Sequence, residues 1–141
     1  MNFFLVTVPA IPTKLKINKE HPMATTVTHA FSNIDEAHGG IDIVAKEGTP
    51  INSAASGVVV FSGWTYEMGN LIIIYHGGGY MTHYGHNQNN LVSRLDMVKR
   101  GDVIGYVGNT GISSGPHLHW GVTLFGTHVD PQLLAGPMPT K

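Results

Sequence analysis

His38-Gly39-Gly40-Ile41-Asp42 and, much later, His117-Leu118-His119 hold three imidazoles and a carboxylate in two short stretches. Two imidazoles and one carboxylate are the ligand count of a catalytic zinc centre, in which three protein ligands leave a fourth position to water. The third imidazole would then stand beside the ion. In a strand, residues i and i+2 share a face, so His117 and His119 project into one cavity while Leu118 packs behind. Either ring can be a ligand and the other a base; spacing alone leaves that open. Pro116 biases its predecessor toward extended backbone and sets the approach to this strand. His38 and Asp42 are four apart, which would stack them on a helix, but Gly39-Gly40 argue against one. On a loop leading into a strand, two glycines let the chain turn sharply enough for both side chains to reach one point.

Thr82-His83-Tyr84-Gly85-His86 is a third candidate stretch. Strict alternation puts His86 on the face of Thr82 and Tyr84 and points His83 away, so His83 is expected to be structural or exposed. Tyr84 could add a hydrogen bond to substrate or serve packing alone. His21, His29, His76 and His128 carry no motif and are expected to be ordinary polar or core residues.

Positioning these groups is a task for β-structure. At 141 residues the chain fits one domain with a single core. Charged residues are only 12% and glycines number 18, which suits a compact, turn-rich β protein and not a disordered or coiled-coil chain. A net charge of −1 offers no electrostatic footprint for nucleic acid. With no cysteine there is neither a disulfide framework nor a thiolate zinc site.

From Ile41 onward, short β-rich runs close on Gly, Asn or Pro: Ile41–Ala45, Pro50–Ala55, Val58–Phe61, Leu71–Tyr75, Tyr80–Tyr84, Val103–Val107 and His117–Phe125. Gly77-Gly78-Gly79 is expected to turn a hairpin. Only Asn89–Lys99 could hold a turn or two of helix. The expected fold is all-β, with two antiparallel layers and the site at a sheet mouth. Residues 1–25, broken by Pro9, Pro12 and Pro22, are expected to form an irregular arm, 26–136 the domain and 137–141 a tail. The apolar run at Met1–Ala10 lacks a basic flank and is too short to cross a bilayer; no membrane insertion and no clear signal peptide are expected.

The ordered series of motifs resembles peptidase family M23, the lysostaphin- or LytM-type zinc endopeptidases. Besides the stretches above it includes Gly48-Thr49-Pro50-Ile51, Ala54–Val59, Gly69–Gly77, Tyr84-Gly85-His86, Val98–Gly105, Gly108-Asn109-Thr110-Gly111, Gly115–His119 and Val129-Asp130-Pro131. The resemblance implies a lysostaphin-type β-sandwich with little helix. It also implies that one Zn2+ ion is bound by His38, Asp42 and His119, with His86 and His117 as metal-free catalytic histidines. It further implies cleavage of peptide bonds in bacterial peptidoglycan, in a cross-bridge or stem-peptide cross-link, outside the cytoplasm or in the envelope, by a monomer. No His-Glu-x-x-His helix is present, so an imidazole must take the proton that glutamate takes in other zinc peptidases, which suits a pKa near 6.5.

The expected groove walls are the loops Trp64–Gly69, His86–Leu95 and Gly108–Gly115. Departures from the pattern are Gly85 for a frequent Ala, Asn87 for a usual Leu and Gly121 for a frequent Glu, which bear on the groove wall and substrate preference. An inactive LytM-type domain that scaffolds other wall enzymes is the main alternative, and all five site residues being present counts against it. Val98–Gly105 also resembles a biotinyl- or lipoyl-carrier hairpin, but no tip lysine between methionines accompanies it.

Overall fold

The computed structural model describes residues 26–29 and 39–131; the expected arm, the tail and His38 lie outside them. Ten strands follow in order: β1 (Thr26–His29), β2 (Ile41–Val44), β3 (Pro50–Asn52), β4 (Gly57–Thr65), β5 (Gly69–Gly77), β6 (Tyr80–Asn90), β7 (Met97–Val98), β8 (Val103–Val107), β9 (His117–Leu124) and β10 (Thr127–Val129). All pairings are antiparallel, in the order β1-β2-β9-β6-β5-β4-β7. No helix among the described residues is long and apolar enough to cross a membrane.

The spine is β6, which changes partner along its length. Tyr80 to Gly85 pair with β9, and Asn87 to Asn90 pair with β8, which in turn carries β3. On one side Ile41, Ile43, Ile72, Ile74, Leu118, Trp120 and Val122 form an apolar face. Ile51, Ala54, Ala55, Ile104 and Val107 join them in one buried cluster, so β3, β8 and the 53–56 segment act as the second layer. Alternation produces this directly: in β2 both isoleucines are fully buried while Asp42 and Val44 face the other way.

The three-glycine turn expected between β5 and β6 is present, with φ of 89°, 62° and 85° at Gly77, Gly78 and Gly79, a conformation open to glycine at little cost. Asn89–Lys99, the one segment that could have held a turn or two of helix, holds none. The backbone there bonds to β4 instead, with Leu95 N donating to Val59 O and Val59 N to Asp96 O. A left-handed Leu95 (φ 80°) turns the chain into β7. Cross-strand pairing outweighs the weak helical preference of an asparagine-rich segment.

Candidate active site

Asp42 and His119 are register partners across β2 and β9, both on the face away from the core. Their side chains meet, with Asp42 Oδ1 3.1 Å from His119 Nδ1 and 3.5 Å from His117 Nε2. The period-two reading of His117 and His119 thus holds, with Leu118 and Trp120 buried behind them. The sharp turn expected of Gly39 and Gly40 involves His38, which lies outside the described residues. What the two glycines permit among the described residues is close approach. A Cβ on Gly40 would lie 2.6 Å from Trp120 O and 2.9 Å from His119 Nε2, and one on Gly39 would lie 2.7 Å from the His128 ring.

His86 reaches the site by breaking the alternation that was expected to govern it. Its φ is +64°, in the left-handed region that ordinary residues avoid at a cost of about 1–2 kcal/mol. The bend falls where β6 passes from β9 to β8. It swings the imidazole off the face of Tyr84 and brings its centroid 4.8 Å from that of His117 and 6.2 Å from that of His119. The ring is pinned by Nδ1 donating to Thr110 O at 2.7 Å, while His86 N donates to Met68 O. Thr110 is anchored in turn: its Oγ1 donates to Asn87 O and accepts from Asn70 N. Asn87, expected on the groove wall, is fully buried and donates through Nδ2 to Tyr84 O and Asn90 Oδ1. It belongs to the scaffold under Thr110.

Tyr84 is a second correction. Its side chain is fully buried on the core face, with the hydroxyl accepting from Ala54 N at 2.9 Å and bonded to Thr82 Oγ1 at 2.8 Å. It braces the two layers and cannot touch a substrate. The same alternation that buries Tyr84 turns His83 to the groove, contrary to its expected place away from the site. His83 and His128 both line the groove, and their rings are 6.0 Å apart. His128 has no sequence motif, and only knowledge that β10 pairs with β9 could have found it.

The groove has a volume of about 570 Å³. Glu67 and Met68 form one wall, and Ile112, Ser113 and Ser114 another, as expected of those two loops. The third expected wall is not one: past His86 the chain leaves the groove as the end of β6.

Burial lowers the pKa of His86, with the Thr110 carbonyl opposing and the neighbouring His117 and His119 adding to the decrease. Burial, then His128 and His119, push His83 down to about 4. Both rings are therefore neutral near pH 7. With Nδ1–H given to Thr110 O, His86 keeps its lone pair on Nε2. His117 matches it, Nδ1 donating to Gly115 O at 2.8 Å.

Two ligands about 2.0–2.2 Å from a tetrahedral ion stand roughly 3.3–3.5 Å apart. The 3.1 Å between Asp42 Oδ1 and His119 Nδ1 is close to that span, so this pair fits a divalent ion. Among the described residues no cluster of three or more metal-binding side chains occurs. The expected third ligand, His38, precedes Gly39, which itself lines the groove.

The sequence profile of peptidase family M23 matches residues 36–131, over half of the chain. The chain belongs to peptidase family M23. It is 41% identical over 111 residues to the DD-carboxypeptidase/endopeptidase Mpg of Neisseria meningitidis, covering 79% of this chain and 26% of that protein. It is 40% identical over 109 residues to the peptidoglycan DD-endopeptidase ShyC of Vibrio cholerae, covering 77% and 25% respectively. Among solved structures it is similar to a zinc-containing peptidase from Vibrio cholerae, with a TM-score of 0.75, 30% identity, and 82% of this chain covered against 37% of that one. The chain thus spans about a quarter of the length of the two relatives named.

Proposed function

We propose that this M23 domain is a zinc-dependent endopeptidase that hydrolyses peptide bonds of bacterial peptidoglycan, in the envelope or outside the cell. The observation that carries the reading is the convergence of Asp42, His86, His117 and His119 in one groove, from three strands. The name of ShyC supports the substrate class, that of Mpg supports endopeptidase action, and the zinc-containing relative supports the metal.

His38, Asp42 and His119 would hold the ion. Bound there, zinc would supply a Lewis acid for the scissile carbonyl and lower the pKa of a bound water to about 7. His86 and His117 do the proton work. Each has Nδ1–H committed to a carbonyl, so each presents Nε2 as a base. One ring accepts the proton of the attacking water at Nε2 and returns it to the leaving amine. The other, protonated from solvent, donates a hydrogen bond to the oxyanion and keeps its proton. Lowered basicity keeps His86 unprotonated near pH 7, ready for the first role.

The test combines metal analysis of the purified protein with digestion of sacculi and mass spectrometry of the released ends. The expected result is about one zinc per chain and new peptide termini, with His86→Ala and His117→Ala keeping zinc but losing turnover. Near-normal rates in either variant would remove that ring from the mechanism. Zinc binding without hydrolysis of any sacculus would leave a non-catalytic scaffold.

A further inference from the structure

Two groove imidazoles have no part in the chemistry above. His83 of β6 is the register partner of Gly121 in β9, and His128 of β10 is the partner of Thr123 in the same strand. Gly121 and Thr123 lie two and four residues beyond His119 on the same face, so the pair begins roughly 7 Å along the strand from that residue. His83 Nε2 has only a long contact to Thr123 Oγ1, 3.4 Å, and the His128 ring makes no hydrogen bond among the described residues. Between the pair and His119 the main chain of Gly39, which lines the groove, lies over Gly121, where a Cβ would be 2.7 Å from Gly39 O.

The groove is polarised. Among the described residues its lining carboxylates are Asp42, at the reacting centre, and Glu67, next to the Met68 whose carbonyl holds His86. The His83–His128 end is lined by imidazoles, which remain N–H donors even when neutral. That end suits an anion with two acceptor oxygens, and the other end repels one.

We infer that His83 and His128 form a subsite for a free carboxylate on the residue that supplies the leaving amine. The inference rests on the peptidase reading. The pair stands close to the reacting centre, and a carboxylate on that residue is only three bonds from the scissile carbon. Two substrates present this chemistry: an uncross-linked stem ending in D-alanyl-D-alanine, and a cross-link in which D-alanine acylates diaminopimelate at the centre that keeps its carboxyl group free. A glycyl-glycine bridge presents an uncharged amide there instead.

The test uses the zinc-loaded protein and four peptides: a stem pentapeptide, the same peptide as its terminal carboxamide, a cross-linked muropeptide dimer and pentaglycine. The acid is expected to exceed the carboxamide by about tenfold or more in kcat/KM, as loss of one charge-assisted hydrogen bond implies. His128→Gln and His83→Gln should each erase about tenfold of that preference through KM, with zinc content and carboxamide turnover unchanged. Cleavage of the pentapeptide or of the dimer bears the subsite out and names its source. Equal rates on acid and carboxamide, fastest cleavage of pentaglycine, or an exposed-site His128→Gln variant with its preference intact would overturn it.

A binding measurement separates the two readings. N-acetyl-D-alanine, and not N-acetyl-D-alaninamide, should shift the ring-proton resonances of His83 and His128. Shifts without cleavage of any peptide would keep the subsite and remove the peptidase. Cleavage without shifts or preference would remove the subsite alone.

Discussion

At the scale of single residues, the site depends on groups that never meet substrate. Thr110 holds His86 through its carbonyl and is itself held through its hydroxyl by Asn70 N and Asn87 O. Thr110→Val keeps the shape and removes those bonds, leaving buried polar groups short of partners. Stability should fall by about 1–3 kcal/mol, and kcat should fall with it as the ring loosens, while zinc content is unchanged. Urea unfolding and steady-state kinetics check both halves; unchanged kcat would mean the ring is held without the threonine hydroxyl. The residue scale is also where sequence reading divides most clearly. His117 and His119 were legible because a regular strand has a period of two. His86 was not legible by that rule, because one left-handed residue resets the period. His83 was misplaced by the same rule, since alternation from Tyr84 was followed without knowing that Tyr84 faces the core.

At the scale of elements, the decisive feature is the change of partner within β6. A left-handed backbone at residue 86 is a cost that the fold carries so that an imidazole can enter the groove. Comparing His86→Gly with His86→Ala isolates it, because both lack the ring and only glycine accepts φ near +64° freely. The glycine variant should be the more stable by about 1 kcal/mol; equal stabilities would show that the bend relaxes once the ring is gone. The pairing of β2 with β9 is as demanding. Gly40→Ala drives a Cβ against the Trp120 carbonyl, a backbone atom that cannot move aside cheaply. A loss of about 1–3 kcal/mol is expected, together with weaker zinc binding as Asp42 shifts from His119. Denaturation midpoints and metal titration measure the two. The strands themselves and the three-glycine turn were readable from β-rich runs closed by turn residues. The β10–β9 and β8–β6 pairings were not, since such long-range contacts leave no local pattern.

For the molecule as a whole, histidine burial sets a pH limit. His76 stands clear of the site, with Nδ1 bonded to Ser56 O at 2.8 Å and Nε2 to Thr82 Oγ1 at 2.6 Å. Burial lowers its pKa, and the Ser56 carbonyl opposes the shift only in part. The unfolded chain, titrating near 6.5, therefore binds a proton that the folded chain refuses. Stability is undiminished above that value and declines as pH falls below it, until the lowered folded pKa is reached. The contribution is at most about 1.4 kcal/mol per pH unit. Urea midpoints from pH 7.5 to 5 should fall accordingly, and His76→Gln should flatten the slope; an identical slope would assign the effect to other groups.

Gly39, Gly40 and Gly121 mark where neighbouring stretches of main chain lie against one another with no room for a side chain: Cβ atoms there would meet the His128 ring, Trp120 O and Gly39 O. Mutation there pries those stretches apart before it reshapes the groove. New tastes must be acquired instead in the 65–69 and 108–115 loops and the strand carrying His128, where substitutions can subtract bulk as well as add it.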